Sequence, residues 1–274
     1  MPELPEVETV KRSLEAQILG LSFTEIELMM PKIVKTPSPN SFAENLTGKK
    51  IKKLGRRGKY LLIHLSDNLT MVIHLRMTGR LVYSPQDKPA EKHTHAIFKL
   101  DNGFSLHYSD IRQFGRMGLT DTDKLEAFPG LKDLGIEPLN ENFTRDFLKR
   151  ELKRKRTKIK PLLLDQTFIA GLGNIYADEA LHRARINPEK IAVNLTARET
   201  ARLYQSIRDV LSEGIENRGT SFRDYVDGNG QAGSNQESLR VYDREGKPCL
   251  GCGKTVARIR LAGRSTYYCP KCQK

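Results

Sequence analysis

The stretch KYLLIHLSDNLTMVIHL (Lys59–Leu75) contains two short apolar runs that flank the turn-forming residues 66–68. Two runs of mostly apolar residues, separated by Ser, Asp and Asn, predict two paired strands. HAIFKL and FSLHYSD flank an Asp-Asn-Gly turn at residues 101–103, which is a strong hairpin signal. We therefore expect strands from Phe23 to about Met117, arranged as a β-sandwich or a barrel.

A helix precedes these strands. Apolar residues recur at three- and four-residue intervals, Pro5 suits a first helical turn, and Gly20 is a C-terminal stop signal. The apolar positions are Leu4, Val7, Val10, Leu14 and Ile18. After the strands, FPGLKDLGIEPLNENF (residues 128–143) has the Pro and Gly content of a linker.

The second half of the chain has helical periodicity. Asn174 and Thr196 stand at plausible N-cap positions, and GTSFRDYVDGNGQAGSNQ (residues 219–236) predicts a mobile loop. The segments VARIRL and STYYC predict a terminal hairpin around residues 262–264. Four helices are expected in FTRDFLKRELKRKR, KPLLLDQ, NIYADEALHRARI and TARETARLYQSIRDVLSEGIEN.

The charge of the chain favours a polyanionic partner. The formal net charge is +13, with seven basic residues and no acid in Lys49–Lys59, and eight basic residues against one acid in Lys149–Lys160. Lysine and arginine that neutralise phosphates release condensed counterions, so these runs favour nucleic acid over a merely solvated helix face. Neither a membrane span nor a signal peptide is predicted, and we expect a cytoplasmic protein.

All four cysteines lie near the carboxyl end, as CLGC and CPKC with sixteen residues between the pairs. This spacing predicts one structural, tetrahedral Zn²⁺ site, and two disulfides are the alternative. The ligands would be Cys249, Cys252, Cys269 and Cys272.

The amino terminus, MPELPEVETV, combines prolines with acids. If Met1 is removed, Pro2 presents a secondary amine that can attack a carbon electrophile and form an iminium. Glu3 and Glu6 can share one face of the first helical turn. The alternative is structural, because Pro-Glu sequences commonly begin helices.

Three further motifs leave alternatives open. The glycines of GLGNIYADE precede a helix and could form either an anion site or an ordinary helix–helix turn. Met77, Arg112 and Phe114 could enter a base stack, although Met77 and Phe114 could equally be core residues. For His74, His93 and His95, structural hydrogen bonding is the default reading.

Taken together, MPELPEVET, HLRMTGR, DIRQFGR, IKPLLLDQ, GLGNIYADE and the paired CxxC motifs with AGRSTYYC resemble the bacterial formamidopyrimidine-DNA glycosylases. The resemblance implies an α+β multidomain fold: an N-terminal helix plus β-sandwich, a helix-two-turn-helix domain, and a β-hairpin zinc finger. The implied boundaries are 1–130 for the catalytic domain, 131–143 for a linker, 144–237 for the helical domain with a lesion-capping loop, and 238–274 for the zinc finger.

The same resemblance implies a function. Pro2 would attack C1′ of an oxidised purine nucleotide, with Glu3 as general acid/base and Glu6 assisting. Lys59 would serve β-elimination and Arg264 δ-elimination. His93, Lys160 and Asn174 would bind the DNA backbone, while Met77, Arg112 and Phe114 would fill the void left by the extruded base. The expected partner is duplex DNA containing oxidised purines, bound by a monomeric, nucleoid-associated bacterial enzyme.

Two positions depart from the usual family pattern, namely Asp243 and Ser265, where glycine or another small residue is common. Two rival functions remain at this point. The sister family of endonuclease VIII shares the N-terminal proline, the helix-two-turn-helix and a zinc finger but prefers oxidised pyrimidines. The paired Arg112 and Phe114, with LPEVET at the terminus, favour the purine enzyme. A zinc-ribbon protein that binds DNA without cleaving it is the rival from another class.

Overall fold

A computed structural model describes residues 1–274, and the chain divides into two compact units. The N-terminal unit comprises Met1–Lys132 and Asn217–Gln236, and the C-terminal unit comprises Asp133–Glu216 and Glu237–Lys274. The division after Lys132 falls inside the predicted linker. The glycine-rich segment clusters with the N-terminal unit, whereas the sequence-based boundaries place it with the helical domain.

Helix α1 spans Leu4–Ile18, as the apolar periodicity predicts. Pro5 lies in its first turn, where a missing N–H leaves no hydrogen bond unmade. The chain leaves the helix through Gly20, whose φ of 85° is a left-handed conformation that favours glycine. The helix buries the apolar face that the sequence defines, and that face packs in the core of the N-terminal unit.

Two sheets form the rest of the N-terminal unit. Their elements are β1 (Phe23–Leu28), β2 (Val34–Thr36), helix α2 (Pro39–Leu46), β3 (Ile51–Arg57), β4 (Tyr60–Leu65), β5 (Leu69–His74), β6 (Gly79–Pro85), β7 (Thr94–Leu100), β8 (Phe104–Asp110) and β9 (Arg116–Asp121). One sheet has the order β2-β9-β5-β4-β3 and the other β1-β7-β8-β6. All neighbours are antiparallel except β2 and β9. The predicted sandwich is confirmed.

Local turn chemistry explains the hairpins. Asp67 and Asn68 both have φ of 56°, which matches the primed turns that join twisted antiparallel strands. Helix α2 was not predicted, although its start carries ordinary signals. Ser38 caps it by accepting a hydrogen bond from the Ser41 amide, and Pro39 is its first residue.

One apolar cluster joins both sheets with α1 and α2. Fully buried aromatic rings mark its centre, with Phe23 and Phe98 centroids 5.9 Å apart and Phe42 and Phe98 centroids 6.5 Å apart. Burying such rings contributes roughly 1.5–3 kcal/mol each relative to leaving them exposed. The core thus fixes α1, and with it the amino terminus, against the sheets.

The C-terminal unit contains the four predicted helices and the predicted hairpin. These are α3 (Arg145–Leu152), α4 (Ile159–Leu164), α5 (Asn174–Ala184), α6 (Ala197–Glu216), β10 (Ala257–Leu261) and β11 (Arg264–Tyr268). Thr196 caps α6 as predicted, since its hydroxyl accepts from the Glu199 amide and the Glu199 carboxylate accepts from the Thr196 amide. The N-cap prediction for Asn174 is wrong, because Gly173 occupies that position. None of the helices combines the length and apolarity needed to cross a bilayer.

Candidate active site

The amino terminus is packed into the N-terminal unit. Pro2 is buried, while Glu3 and Glu6 are only 3% and 1% exposed. The two oxygens of Glu6 accept different backbone hydrogen bonds: Oε2 from the Glu3 amide at 2.8 Å and Oε1 from the Thr220 amide at 2.8 Å. Such donors stabilise a buried carboxylate, because a buried polar group without a hydrogen bond is costly. The structure therefore brings three predicted site residues together.

Thr220 belongs to the glycine-rich segment, which is bound along α1. Gly219 adopts φ of 81°, and a Cβ there would lie 2.9 Å from Cγ of Glu6. The Tyr225 hydroxyl donates to the Glu6 carbonyl at 3.2 Å, and the Gly228 amide donates to the Ser13 hydroxyl at 2.8 Å. The segment predicted as a mobile loop is thus held beside Glu6 by specific contacts.

Lys59 lies in the turn between β3 and β4 and is 6% exposed. The guanidinium of Arg56 donates to Glu8 of α1 at 3.1 Å and to the Gly58 carbonyl at 2.9 Å. Gly58 itself has φ of 56°, a left-handed conformation. These contacts tie the turn that carries Lys59 to α1, which carries Glu6 and has Glu3 as its N-cap.

A basic cavity of about 370 Å³ opens beside β4 and β5. Burial lowers the pKa of His74 to about 3, with further lowering by the charges of Arg76, Lys59 and Arg116. The imidazole is therefore neutral, and its Nδ1 accepts a hydrogen bond from the Arg76 amide at 3.0 Å. The structural reading of His74 agrees with this contact. The cavity is lined by Lys35, Thr36, Tyr60, Val72, His74, Arg76, Arg116, Met117, Phe128, Pro129 and Gly130.

Met77, Arg112 and Phe114, which are expected to fill the void left by the extruded base, lie on two loops. Met77 is 37% exposed and Phe114 is 49% exposed, which excludes the core reading for both. The Arg112 guanidinium lies over the Phe114 ring, 5.0 Å from its centroid. His93 is half-buried and lines a cavity of about 160 Å³. Thr78 and Ile111, one from each of the two loops, line the same cavity. The structure therefore groups His93 with the two loops.

In the C-terminal unit, Lys160 and Asn174 both bind the second strand of the terminal hairpin. Lys160 Nζ donates to the Ser265 carbonyl and the Thr266 hydroxyl, each at 2.9 Å, and lies 2.7 Å from Asp178. Asn174 donates to the same Ser265 carbonyl at 3.0 Å. Lys160 is completely buried, and its ammonium group pairs with Asp178 in this structure. Its expected contact with the DNA backbone stays a prediction.

Two buried acids of α5 also bind the backbone of the C-terminal segment, one of them on the second strand of the hairpin. Asp178 accepts from the Tyr267 amide at 3.0 Å, and Glu179 accepts from the amides of Arg240, Val241 and Tyr242 at 2.9 to 3.1 Å. Burial raises the pKa of Asp178 to about 7, against the lowering effect of the Lys160 ammonium. Burial likewise raises the pKa of Glu179, against its backbone donors. Sequence reasoning missed both roles.

The four cysteines converge at the base of the hairpin. Their sulfur atoms lie within 4.8 Å of one another, with Cys249 and Cys272 at 3.9 Å and Cys252 and Cys269 at 3.4 Å. Zinc–sulfur bonds of about 2.3 Å in a tetrahedron place sulfurs about 3.8 Å apart, so the cluster fits zinc. All four cysteines would hold the ion, which would leave no coordination position for a catalytic water. Nε2 of His182 lies 3.6 Å from the Cys249 sulfur.

Comparison with known proteins matches three families along the chain. The formamidopyrimidine-DNA glycosylase N-terminal domain matches residues 1–117, the H2TH domain of these enzymes matches residues 134–226, and the zinc finger found in FPG and IleRS matches residues 246–274. The formamidopyrimidine-DNA glycosylase of Pelotomaculum thermopropionicum is 62% identical over 100% of this chain and 99% of its own length. That of Desulforamulus reducens is 58% identical over the same shares.

The chain belongs to the formamidopyrimidine-DNA glycosylase family. It is a DNA glycosylase with abasic-site lyase activity that acts on oxidised purines, and it carries a four-cysteine zinc finger. The helical domain, hairpin finger and zinc site predicted from the sequence are thereby confirmed, and the non-catalytic zinc-ribbon alternative is excluded.

Solved structures of the family share the fold throughout. A Lactococcus lactis FPG variant in complex with Fapy-dG-containing DNA superposes with a TM-score of 0.94 at 40% identity, and covers 100% of both chains. The complex of Lactococcus lactis Fpg with abasic-site DNA gives a TM-score of 0.94 at 40% identity over 99% of each chain. Relatives of this chain have thus been crystallised in complex with damaged DNA.

Proposed function

We propose that Pro2 is the nucleophile through which this glycosylase excises the oxidised purine. The lone pair of the Pro2 nitrogen attacks C1′, and the bond from C1′ to the base breaks. The N–H proton that the Pro2 nitrogen then loses balances the proton that the departing base takes up. Glu3 supplies the proton that opens the sugar ring at O4′, which leaves an iminium between Pro2 and C1′. A pyrrolidine amine suits this step because, once its single N–H proton is lost, the nitrogen lone pair expels O4′ and forms a permanently charged iminium.

The observation that carries this proposal is the two-sided hydrogen bonding of Glu6. Its carboxylate holds the Glu3 amide on one side and the Thr220 amide on the other. One carboxylate, that of Glu6, therefore holds both the backbone next to Pro2 and the segment 217–236. In this role Glu6 orients Glu3 and the segment that would close over an extruded base.

Strand cleavage follows from the iminium. Loss of a proton from C2′ expels the 3′-phosphate, and loss of a proton from C4′ then expels the 5′-phosphate, after which water releases the sugar remnant from Pro2. We assign Lys59 to the first elimination and Arg264 to the second. Lys59 lies in a turn tied to α1, and Arg264 is exposed at the start of β11.

The DNA contacts fall into two groups. Met77, Arg112 and Phe114 fill the space left by the extruded nucleotide, and Arg112 faces the base opposite the lesion. His93 binds the backbone next to them, because all four lie around the same two loops. Asn174 binds the backbone through α5. Lys160, the third residue expected at the backbone, also holds the strand that follows Arg264. A monomer bound to one duplex in the bacterial nucleoid is consistent with the basic runs of the chain.

Borohydride trapping on an 8-oxoguanine duplex tests the role of Pro2. With Met1 attached, the Pro2 nitrogen is a tertiary amide and is not nucleophilic. Protein that starts at Pro2 should form a trapped adduct, and protein that retains Met1 should bind the duplex without trapping. Intact-mass measurement establishes which form is present, and peptide mapping locates the adduct.

The matched variant is Pro2→Gly, which should keep some trapping because a primary amine still forms an imine. Trapping by protein proven to retain Met1, or an adduct mapped to Lys59, would show that another amine is the nucleophile. A parallel assay on thymine glycol separates purine from pyrimidine preference.

A further inference from the structure

The residues proposed to fill the void lie on two loops that are separate in sequence. Met77 is on the loop between β5 and β6, and Arg112 and Phe114 are on the loop between β8 and β9. Each loop contains a non-glycine residue in a left-handed conformation, Arg76 and Gln113, both with φ of 57°. Such conformations cost of order 1–3 kcal/mol each, so surrounding contacts must maintain them.

Asp110 ends β8 and makes those contacts. It is completely buried, and each of its carboxylate oxygens accepts two hydrogen bonds. Oδ1 accepts from the Thr78 hydroxyl and from the Arg112 amide at 3.2 Å, and Oδ2 accepts from the Gly115 amide at 2.7 Å and from the Tyr108 hydroxyl at 3.4 Å. One side chain therefore binds both loops.

Thr78 closes the connection between the loops. Its hydroxyl donates to Asp110 and also accepts from the Arg112 amide at 3.0 Å. The backbone carbonyl of Asp110 accepts from the Gln113 amide at 3.2 Å, which stabilises the left-handed residue between Arg112 and Phe114. The backbone of Gly115 packs closely against Tyr108, since a Cβ on Gly115 would lie 1.6 Å from the Tyr108 hydroxyl oxygen.

We infer that Asp110 is the positioning residue that holds Met77, Arg112 and Phe114 in one arrangement, so that Arg112 meets the base opposite the lesion. The inference rests on the proposed function of these three residues. It requires a carboxylate, because all four neighbours donate hydrogen bonds. An amide nitrogen in place of Oδ2 would face the Gly115 N–H as a second donor at 2.7 Å.

The test uses Asp110→Asn and Thr78→Val, with Thr78→Ser as the matched control that keeps the hydroxyl. Single-turnover excision of 8-oxoguanine is measured opposite cytosine and opposite adenine. Cleavage of a single-stranded abasic oligonucleotide, which has no opposite base, reports on the Pro2 chemistry separately.

The cytosine-to-adenine ratio should fall about fivefold or more in Asp110→Asn and Thr78→Val, as for the loss of one base-edge contact. In Thr78→Ser the ratio should stay within about twofold of the wild type, and single-strand cleavage should persist in all three variants. If Asp110→Asn loses single-strand cleavage through misfolding, the Thr78→Val and Thr78→Ser pair decides the question.

Arg112→Ala separates the two ways in which the scheme can fail. An unchanged ratio in Asp110→Asn and Thr78→Val, beside a lowered ratio in Arg112→Ala, would overturn the positioning role while the proposed function stands. An unchanged ratio in Arg112→Ala as well would overturn both.

Discussion

Two pairs of buried acids, one in each unit, have different partners. Glu3 and Glu6 lie at the start of α1, and Glu6 is bound by backbone amides from the terminus and from the segment 217–236. Asp178 and Glu179 lie inside α5, where Lys160 and four backbone amides of residues 240–267 bind them. The first pair adjoins Pro2, the proposed nucleophile, and the second pair adjoins the buried Lys160 and the hairpin backbone.

The difference shows that burial of a carboxylate does not by itself indicate catalysis. Desolvation favours the neutral form of any buried acid, and the neighbouring groups decide what that acid can do. The acids of α5 support the hairpin together with the four-cysteine site. Pro2 directly precedes Glu3 and is buried, whereas Met1 before it is exposed to solvent. Substitutions should therefore affect stability in one pair and chemistry in the other.

The largest effect should follow removal of the metal site. Cys249→Ala should lose zinc and damaged-duplex binding together, because structural zinc contributes apparent free energies of about 10–16 kcal/mol in finger peptides. Metal content and duplex affinity are measured on the same preparation, with the exposed Thr255→Ala as control. Tight duplex binding by metal-free Cys249→Ala would show that the α5 acids alone maintain the hairpin.

Glu3→Gln should lower base excision about 10²–10⁴-fold by removing the proton donor. The melting temperature should not change, because the amide keeps the size of the side chain. Single-turnover excision and thermal unfolding are compared with those of Glu44→Gln, an exposed acid on α2 in the same unit. Wild-type excision by Glu3→Gln would place the proton donor elsewhere.

Asp178→Leu should destabilise the protein by about 3–5 kcal/mol, because it leaves the Lys160 ammonium buried without its partner. The double variant Lys160→Met with Asp178→Leu should recover most of that loss. Denaturant unfolding measures both, and Asp209→Asn on α6 is the control. Equal destabilisation by the single and double variants would mean that packing, rather than the unpaired charge, causes the effect.

The smallest expected effect is on how the free energy of unfolding depends on pH. His74 has a folded pKa of about 3 against an ordinary value of 6.5, so the unfolded chain binds more protons between these values. The stability it contributes is complete above pH 6.5 and is lost as the pH falls toward 3, at up to about 1.4 kcal/mol per pH unit. Unfolding free energies at pH 7 and pH 5 should differ less in His74→Gln than in the wild type. Identical differences would show that His74 titrates normally.

Several features follow from the sequence because they depend on nearby residues. The three- and four-residue spacing from Leu4 to Ile18 places one apolar face on a helix, and the turns at 66–68 and 101–103 need only local backbone chemistry. The two CxxC pairs determine the zinc ligands, because their spacing suits one tetrahedral ion. Family motifs then supply the expected roles of Pro2, Glu3 and the elimination residues.

Only the tertiary structure decided which polar residues meet across the chain. It binds Thr220 to Glu6, buries Lys160 against Asp178, and joins Thr78 to Asp110, across separations of 214, 18 and 32 residues. No local pattern encodes these contacts, because an isolated Asp or Lys has the same propensity whether it is solvated or buried. Their partners are set by the packing of the core, which fixes the backbone first and leaves each buried polar group to hydrogen-bond with what lies beside it.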